Sequence, residues 1–461
     1  MNALKFSPIP QIAELFNQQK QFFASGKTRQ PEFRIQMLHK LKAAIAAHQQ
    51  DIEQALFSDL GKSAQEAFLT EIAMVNLEID YHLKHLRKWS KPQSVSFSLS
   101  TFPSRAYVQH EPLGVVLIMA PWNYPFQLLI NPLIGAISAG NCAVLKPSPM
   151  APATAILVEK IIQANFPPEF ISVVQGDIPE NQALLEQRFD LIFFTGSTRV
   201  GKLIMQAAAK NLTPVVLELG GKSPAIISKS ANFQLAVRRI VWGKLVNSGQ
   251  TCVAPDYVIL ERGLKSRFIE AFKTEMENLY AANPIESNWY PRLISESHYQ
   301  RLESLLTNAT LLFESPRNKD RLQFGPVLVD MPPAGHPLAE EELFGPILPI
   351  LELDSMEDAI TYVNQGEKPL ALYFFGSESE GNHVVNQTSS GGACINETIV
   401  HLANHHLPFG GVGQSGMGAY HGRESFTIFS HKRAVLKGAV WLDLPFRYPP
   451  FKYFHWLKRF L

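Results

Sequence analysis

Cysteine is scarce in this chain: Cys142, Cys252 and Cys394 are the only three in 461 residues, odd in number and far apart. That pattern excludes a disulfide framework and points to a reducing compartment. The spacing also excludes a zinc knuckle, so no metal is expected. A surplus of charge is missing as well. Lys and Arg number 42 against 41 Asp and Glu, and the net charge of +1 offers no field for nucleic acid or an anionic membrane. A small, nearly neutral substrate is the simpler expectation. The N-terminus, Met1-Asn-Ala-Leu-Lys-Phe-Ser-Pro8-Ile-Pro10, lacks a basic segment followed by a long apolar core and lacks a small-residue cleavage site. This speaks against secretion and for a cytoplasmic protein.

A long unbroken apolar segment is also lacking, although one stretch imitates it. No charged residue occurs between Glu111 and Lys146, more than a bilayer needs, yet Pro121, Pro125 and Pro132 interrupt the run. They divide it into a strand-like 114–119, a turn around Asn123 and a helix-like 128–139. Short-period repeats and low-complexity tracts are absent too.

What is present is an alternation. Apolar residues recur at helical spacing from Pro31 to about Leu60, where Gly61 supplies a stop, and a second helix-rich stretch runs from about Ala64 to Trp89. The polar, serine-rich piece from Lys91 to Ser104 resembles a connecting arm. Strand-like runs then follow at 115–119, 143–146, 171–175, 191–195, 215–219 and 225–227, with room for a helix between most pairs. That is the pattern of a doubly wound parallel sheet, with a ligand site at the carboxyl ends of its strands. Strand-like 257–260, 348–353 and 370–375 alternate with helical 265–279 and 356–364 in the second half. A chain of this length exceeds one ordinary core, and two α/β lobes joined near Leu219 describe it economically.

The one literal Gly-x-Gly-x-x-Gly, at Gly411, Gly413 and Gly416, has no room after it for a strand, helix, strand unit and reads as a loop. The better phosphate site is Leu191-Ile-Phe-Phe-Thr-Gly196-Ser-Thr-Arg-Val-Gly201-Lys202, where a buried strand runs into a glycine turn and a helix start with unpaired amides. Leu203 stands where a nucleoside triphosphatase needs a serine or threonine for magnesium. A pyrophosphate without an obligatory metal, as in a nicotinamide dinucleotide, remains.

The chemistry rests on two further runs. Cys252 lies in Asn247-Ser-Gly-Gln-Thr-Cys-Val-Ala-Pro255, and Glu218 opens Glu218-Leu-Gly-Gly-Lys-Ser-Pro224, 34 positions upstream. A thiol can attack a carbonyl, and a carboxylate can activate the water that later releases the product. Cys142 and Cys394 lack such a setting and read as small buried apolar residues.

These motifs, with Ala120-Pro-Trp-Asn-Tyr-Pro125, Ala139-Gly-Asn-Cys-Ala-Val-Leu-Lys-Pro147, Glu341-Glu-Leu-Phe-Gly-Pro346 and Leu407-Pro-Phe-Gly-Gly-Val-Gly-Gln-Ser-Gly416, resemble the aldehyde dehydrogenase superfamily. Within it they resemble the class 3 branch, the NAD(P)-dependent fatty and aromatic aldehyde dehydrogenases. The resemblance spans nearly the whole chain. It implies a Rossmann-like doubly wound cofactor domain, an α/β catalytic domain and a small β oligomerisation arm. On this chain they fall at 1–95 with 115–219, at 220–405, and at 96–114 with 406–445, leaving 446–461 as a tail. Cys252 is implied as the nucleophile that forms a thiohemiacetal, with the Asn123 amide and the Cys252 N–H as oxyanion donors. Glu218 is implied as the base for thioester hydrolysis, which requires a raised pKa. Lys146 is implied as ligand of the adenosine ribose, Gly196, Ser197 and Gly201 as the pyrophosphate turn, Glu342 as ligand of the nicotinamide ribose and Phe344 as a wall of its pocket. The reaction implied is oxidation of medium-chain or aromatic aldehydes to acids by a homodimer, with transfer of the thioester to coenzyme A as the alternative.

Two departures stand out. The family usually carries an acid three positions after the lysine, where this chain has Pro149, so NADP is expected along with NAD. In Tyr290-Pro-Arg292 relatives tend to carry glycine before the arginine, with no evident consequence. The tail is aromatic and basic, but only 11 residues follow Pro450 against roughly 20 for a bilayer span. It is expected to pack on the enzyme or its dimer mate, with membrane-surface contact as the alternative.

Overall fold

The computed structural model describes residues 4–445, 448–451 and 454–459. Two sheets organise it. A six-stranded sheet runs in the order Gly416–Met417, Val215–Glu218, Leu191–Thr195, Val115–Met119, Cys142–Lys146, Ile171–Val173. All its pairings are parallel except that of Gly416–Met417. The four inner strands are apolar and almost wholly buried, as strands covered by helices on both faces must be. Strand order reverses between Val115–Met119 and Leu191–Thr195, and the crevice outside the carboxyl ends at such a reversal is where ligands bind.

A seven-stranded sheet follows, in the order Leu311–Glu314, Val327–Asp330, Ile347–Leu353, Tyr257–Glu261, Pro224–Ile227, Ala371–Phe375, Gly392–Ile395, antiparallel only at its first pair. Five residues, 219–223, separate the last parallel strand of the first sheet from Pro224. Glu218, Gly196, Asn123 and Lys146 therefore lie at or after carboxyl ends in the first sheet. Cys252, Glu342 and Phe344 lie ahead of strands in the second. The site forms where these opposite edges meet.

The strand positions match the sequence pattern closely, and the helices differ in instructive ways. The stretch from Pro31 to Leu60 is two helices, Pro31–Ala47 and Gln49–Leu60, because His48 leaves the helical region at φ −112° and ψ 17°. Gly61 ends the second with φ 69°, the left-handed cap that glycine adopts without penalty. Between Ala64 and Trp89 a π-helical turn, Phe68–Ile72, interrupts the α-helix. Pro132 lies inside the helix Gln127–Ala139, every residue of which is buried.

Helix Ile9–Ala24 and strand Gly392–Ile395 lie outside the elements expected from the sequence, although Ile12, Leu15, Phe16 and Phe23 recur at helical spacing after Pro8 and Pro10. The connecting arm belongs to a separate three-stranded sheet, Gln93–Ser94, Arg105–Pro112 and Ser430–Lys437, in which the last two pair antiparallel over eight residues. Phe97, Leu99, Leu436, Val440 and Trp441 are exposed around it. Among the described residues no helix is long and apolar enough to cross a membrane. Of the tail, residues 446, 447, 452, 453, 460 and 461 lie outside the described ones, while Tyr448, Phe451 and Phe454 are exposed.

Candidate active site

The segment that delivers Cys252 is strained and heavily tied down. After helix Phe233–Leu245 the chain passes through Asn247, Ser248 and Gly249 with φ of 52°, 52° and 74°. Only glycine takes the left-handed region freely, so the first two residues must be held there. The Asn247 N–H donates to Glu66 Oε1 at 2.8 Å, and its Nδ2 donates to the carbonyls of Asn123 at 2.8 Å and Gln250 at 3.1 Å. Ser248 Oγ donates to the Pro291 carbonyl. Gln250 Nε2 donates to the carbonyls of Asn247 and Arg292, and its Oε1 accepts from the Ile294 N–H at 3.0 Å. The anchor at residue 291 is a main-chain carbonyl that any residue would present, so the proline itself has no structural explanation. A Cβ on Gly249 would stand 2.4 Å from the Gly345 carbonyl, so this crossing admits no larger residue.

Beyond the loop, Cys252 and Glu218 line one cavity of about 240 Å³, walled mainly by apolar groups including Leu69, Met74, Leu128, Trp242, Val400 and Phe409. Burial, with the charges of Glu342 and Glu218 added, pushes the Cys252 thiol up to about 12. The resting thiol is neutral. Glu218 is 2% exposed and neither carboxylate oxygen has a partner, so burial alone holds its carboxyl well above the usual carboxylate range. Asn123 is not in the cavity wall, although its neighbour Tyr124 is. Its Nδ2 donates to the Gln250 carbonyl at 3.0 Å, which uses one of its two amide hydrogens, and its Oδ1 has no partner.

A second cavity, a cleft of about 930 Å³, has a wall that includes Thr198, Lys202, Gly220, Lys222, Glu342 and Ser415. Ser197 caps the helix Thr198–Ala209 by accepting from the Val200 N–H, leaving the helix start beside the cleft. A Cβ on Gly220 would come within 2.0 Å of a Glu342 carboxylate oxygen. Burial first, and then Asp256, pushes the Glu342 carboxyl up to about 8. Its segment is held from behind: Arg301 donates to the carbonyls of Glu342 at 2.6 Å and Leu343 at 2.9 Å, and the Leu343 N–H donates to Asp256 Oδ1 at 3.0 Å. Phe344 has φ 53° and meets Trp122 edge-on at 5.4 Å, while its carbonyl accepts from His298 Nε2.

The remaining residues expected at the cofactor divide differently. Gly196 has no room for a Cβ, which would lie 2.4 Å from the Phe194 ring, and its N–H donates to the Glu218 carbonyl. Gly201 is buried in the helix, where a Cβ would meet Leu219 at 2.8 Å, so its glycine serves close packing. Lys146 is 3% exposed and outside the cleft wall; its Nζ donates to the Pro147 carbonyl at 2.8 Å, and burial pushes it down to about 8. The Gly411 to Gly416 segment is a loop whose last residues pair with the Glu218 strand, and the Ser415 carbonyl accepts from the Leu219 N–H.

Sequence reasoning passed over Lys62, Glu66, Glu71, Gln250 and Arg301. Lys62 and Glu71 form an ion pair of 2.6 Å with both side chains fully buried. The one signal for it was a charge inside an apolar helical stripe, since Glu71 shares a face with Ala67, Met74 and Val75.

Comparison with known proteins agrees with this geometry. Residues 10–435 match the model of the aldehyde dehydrogenase family. The 4,4'-diaponeurosporen-aldehyde dehydrogenase of Staphylococcus aureus is 43% identical over 453 residues, 97% of this chain and 99% of its own. The dimeric NADP-preferring aldehyde dehydrogenase of Rattus norvegicus is 43% identical over 443 residues, 95% of this chain and 98% of its own. The solved substrate-bound state of Staphylococcus aureus AldH superposes with a TM-score of 0.95 at 43% identity, over 97% of this chain and 99% of that one. A family match over nearly the whole length, with relatives of this identity and coverage, means that the chain belongs to the aldehyde dehydrogenase family.

Proposed function

We propose that the protein oxidises medium-chain aliphatic or aromatic aldehydes to carboxylic acids, with Cys252 as nucleophile, Asn123 as oxyanion donor and Glu218 as hydrolytic base. The observation that carries this reading is the pairing of a neutral thiol with an unpartnered, proton-hungry carboxylate in one apolar cavity. Sγ adds to the carbonyl carbon as the thiol passes its proton to the Glu218 carboxylate, which releases it to water before the hydrolytic step, and the carbonyl oxygen becomes an alkoxide. The second amide hydrogen of Asn123 and the Cys252 N–H receive that charge. A nicotinamide dinucleotide supplies the two-electron acceptor that turns the thiohemiacetal into a thioester. Glu218 then takes a proton from water, the hydroxide attacks the thioester carbon, and the Cys252 thiolate leaves.

The cleft fits such a dinucleotide. Gly220 keeps the wall free of a side chain beside Glu342, the helix capped by Ser197 offers amides to a pyrophosphate, and Glu342 stands in the wall to take ribose hydroxyls. Pro149, which carries no charge after Lys146, supports use of NAD and NADP alike. The apolar wall supports hydrocarbon or aromatic substrates, and Glu218 supports release to water over transfer to coenzyme A. The exposed apolar residues around the three-stranded sheet support a homodimer. A cytoplasmic location rests on the sequence alone.

Two variants test the chemistry. Cys252→Ala is expected to abolish oxidation while dinucleotide binding survives. Glu218→Gln is expected to give one burst of reduced nicotinamide per site and then stall as a thioester visible by mass spectrometry. Steady turnover in either variant would sink the assignment of that residue.

A further inference from the structure

Beneath the Asn123 turn lies a charged assembly that the reaction as written does not use. Helix Gln49–Leu60 ends at Gly61, and the next residue, Lys62, turns inward until its side chain is fully buried. Its Nζ donates to Glu71 Oε1 at 2.6 Å and to the Asn123 carbonyl at 3.0 Å, and it sits 3.9 Å from the centre of the Tyr124 ring. Glu71 holds the other end of the same turn, since its Oε2 accepts from the N–H groups of Phe126 at 2.9 Å and Gln127 at 3.1 Å. The turn is therefore gripped at residue 123 by a cation and at residues 126 and 127 by that cation's own counter-ion.

The grip reaches the nucleophile by two routes. The Asn123 carbonyl also accepts from Asn247 Nδ2, whose N–H donates to Glu66 Oε1, so the left-handed loop is fastened to the same assembly. Tyr124, under the ammonium, makes a 2.7 Å hydrogen bond through its hydroxyl with Thr251 Oγ1, one residue before Cys252. Fixing the Asn123 carbonyl fixes the main chain from which the side chain projects, and the amide's own bond to the Gln250 carbonyl sets its direction. Burying an ion pair costs desolvation that close geometry and further hydrogen bonds must offset, and here the Asn123 carbonyl and the N–H groups of Phe126 and Gln127 supply them.

We propose that Lys62, locked by Glu71, is a positioning residue for the oxyanion site: it sets the register between the Asn123 amide and the Cys252 loop, and oxyanion stabilisation is lost without it. This rests on the reading of Asn123 given above. An oxyanion donor displaced by about 1 Å loses most of its effect, of the order of a hundredfold in rate.

The test compares Lys62→Met, which strands Glu71, with the neutral pair Lys62→Met/Glu71→Gln, in which an amide oxygen can still accept from Phe126 and Gln127. Three quantities are measured on the full-length enzyme: the single-turnover rate of nicotinamide reduction, the rate of Cys252 alkylation by iodoacetamide, and the dissociation constant for NAD by protein fluorescence. Alkylation passes through no oxyanion. The expected result for the double variant is a fall of about 100-fold in the single-turnover rate, with alkylation and NAD affinity within about threefold of wild type. Unchanged single turnover in the folded double variant would overturn the proposal. So would a parallel loss of alkylation, which would make Lys62 a general support of the loop. Asn123→Ala separates the two layers: if it turns over normally, the oxyanion role of Asn123 falls first, whatever Lys62 does.

Discussion

The side-chain amide of Asn123 donates to the main-chain carbonyl of Gln250 at 3.0 Å, joining a turn of the first sheet to the loop that carries the nucleophile. The two residues are 127 positions apart in the chain, and their contact brings the thiol and an amide donor into one arrangement. Removing the amide by Asn123→Ala cuts the tie and the donor together. We expect kcat to fall about 100- to 1,000-fold, the usual loss for one oxyanion donor. NAD affinity measured by fluorescence should stay within about threefold, because Asn123 is not in the wall of the cleft that contains Glu342. A loss confined to KM would show instead that Asn123 only binds substrate.

Glu66 offers a pH-dependent test. Burial raises its carboxyl to about 7, against the pull of Lys62 and of the Asn247 N–H it accepts. A group whose folded pKa lies above its unfolded value favours folding below the unfolded value, and that contribution is lost as pH rises through the folded one. Glu66 is therefore a liability above pH 7. Glu66→Gln keeps an oxygen for Asn247 and removes the charge, so thermal unfolding at pH 8 should move upward. The gain corresponds to at most roughly 3 kcal/mol. At pH 4.5 wild type and variant should melt together; equal melting at both pH values would mean that the carboxylate is solvated.

How much of this was legible beforehand depended on the kind of signal. Buried parallel strands are continuous apolar runs with turn residues at their ends, so Val115–Met119 and Leu191–Thr195 could be delimited to the residue. Cys252 and Glu218 sit in unusual local runs that put them forward as candidates, and both line one cavity, while only the family resemblance points to Glu342. The clamp formed by Lys62 and Glu71 could not be named, because its partners, Asn123 and the amides of Phe126 and Gln127, are more than 50 positions away and backbone atoms carry no residue identity. The left-handed Asn247 and Ser248 were hidden for a similar reason, since tertiary hydrogen bonds hold them there against local preference. Gly201 shows the opposite case. Its place in a glycine turn suggested phosphate, while the structure sets it against Leu219.

Gly220 tests the close approach at Glu342. A methyl group placed 2.0 Å from a carboxylate oxygen must displace it, and the Glu342 main chain cannot follow because Arg301 and Asp256 hold the segment. Gly220→Ala is therefore expected to swing the Glu342 side chain within the cleft and weaken NAD binding at least about tenfold. The melting temperature should fall by no more than a few degrees. Unaltered NAD affinity would remove Glu342 from the cofactor site.

Pro149 offers a test of the choice between the two dinucleotides. An acid at that place after the strand Cys142–Lys146 would bond the 2′-hydroxyl of an adenosine ribose and repel a 2′-phosphate. Proline can do neither, and its neighbour Ser148 is uncharged, so the wild-type preference for NAD should stay below about a thousandfold in kcat/KM, or roughly 4 kcal/mol. Introducing the charge with Pro149→Glu should lower kcat/KM for NADP at least about tenfold and leave that for NAD within about threefold. Lys146 sharpens the comparison, since burial has pushed its ammonium down to about 8 and a new carboxylate nearby would favour the charged form. Because that charged lysine would partly offset the new carboxylate above pH 8, where the wild-type ammonium has lost its proton, the loss with NADP should be larger at pH 7 than at pH 9. If both dinucleotides weaken equally, the residue shapes the loop and does not read the ribose.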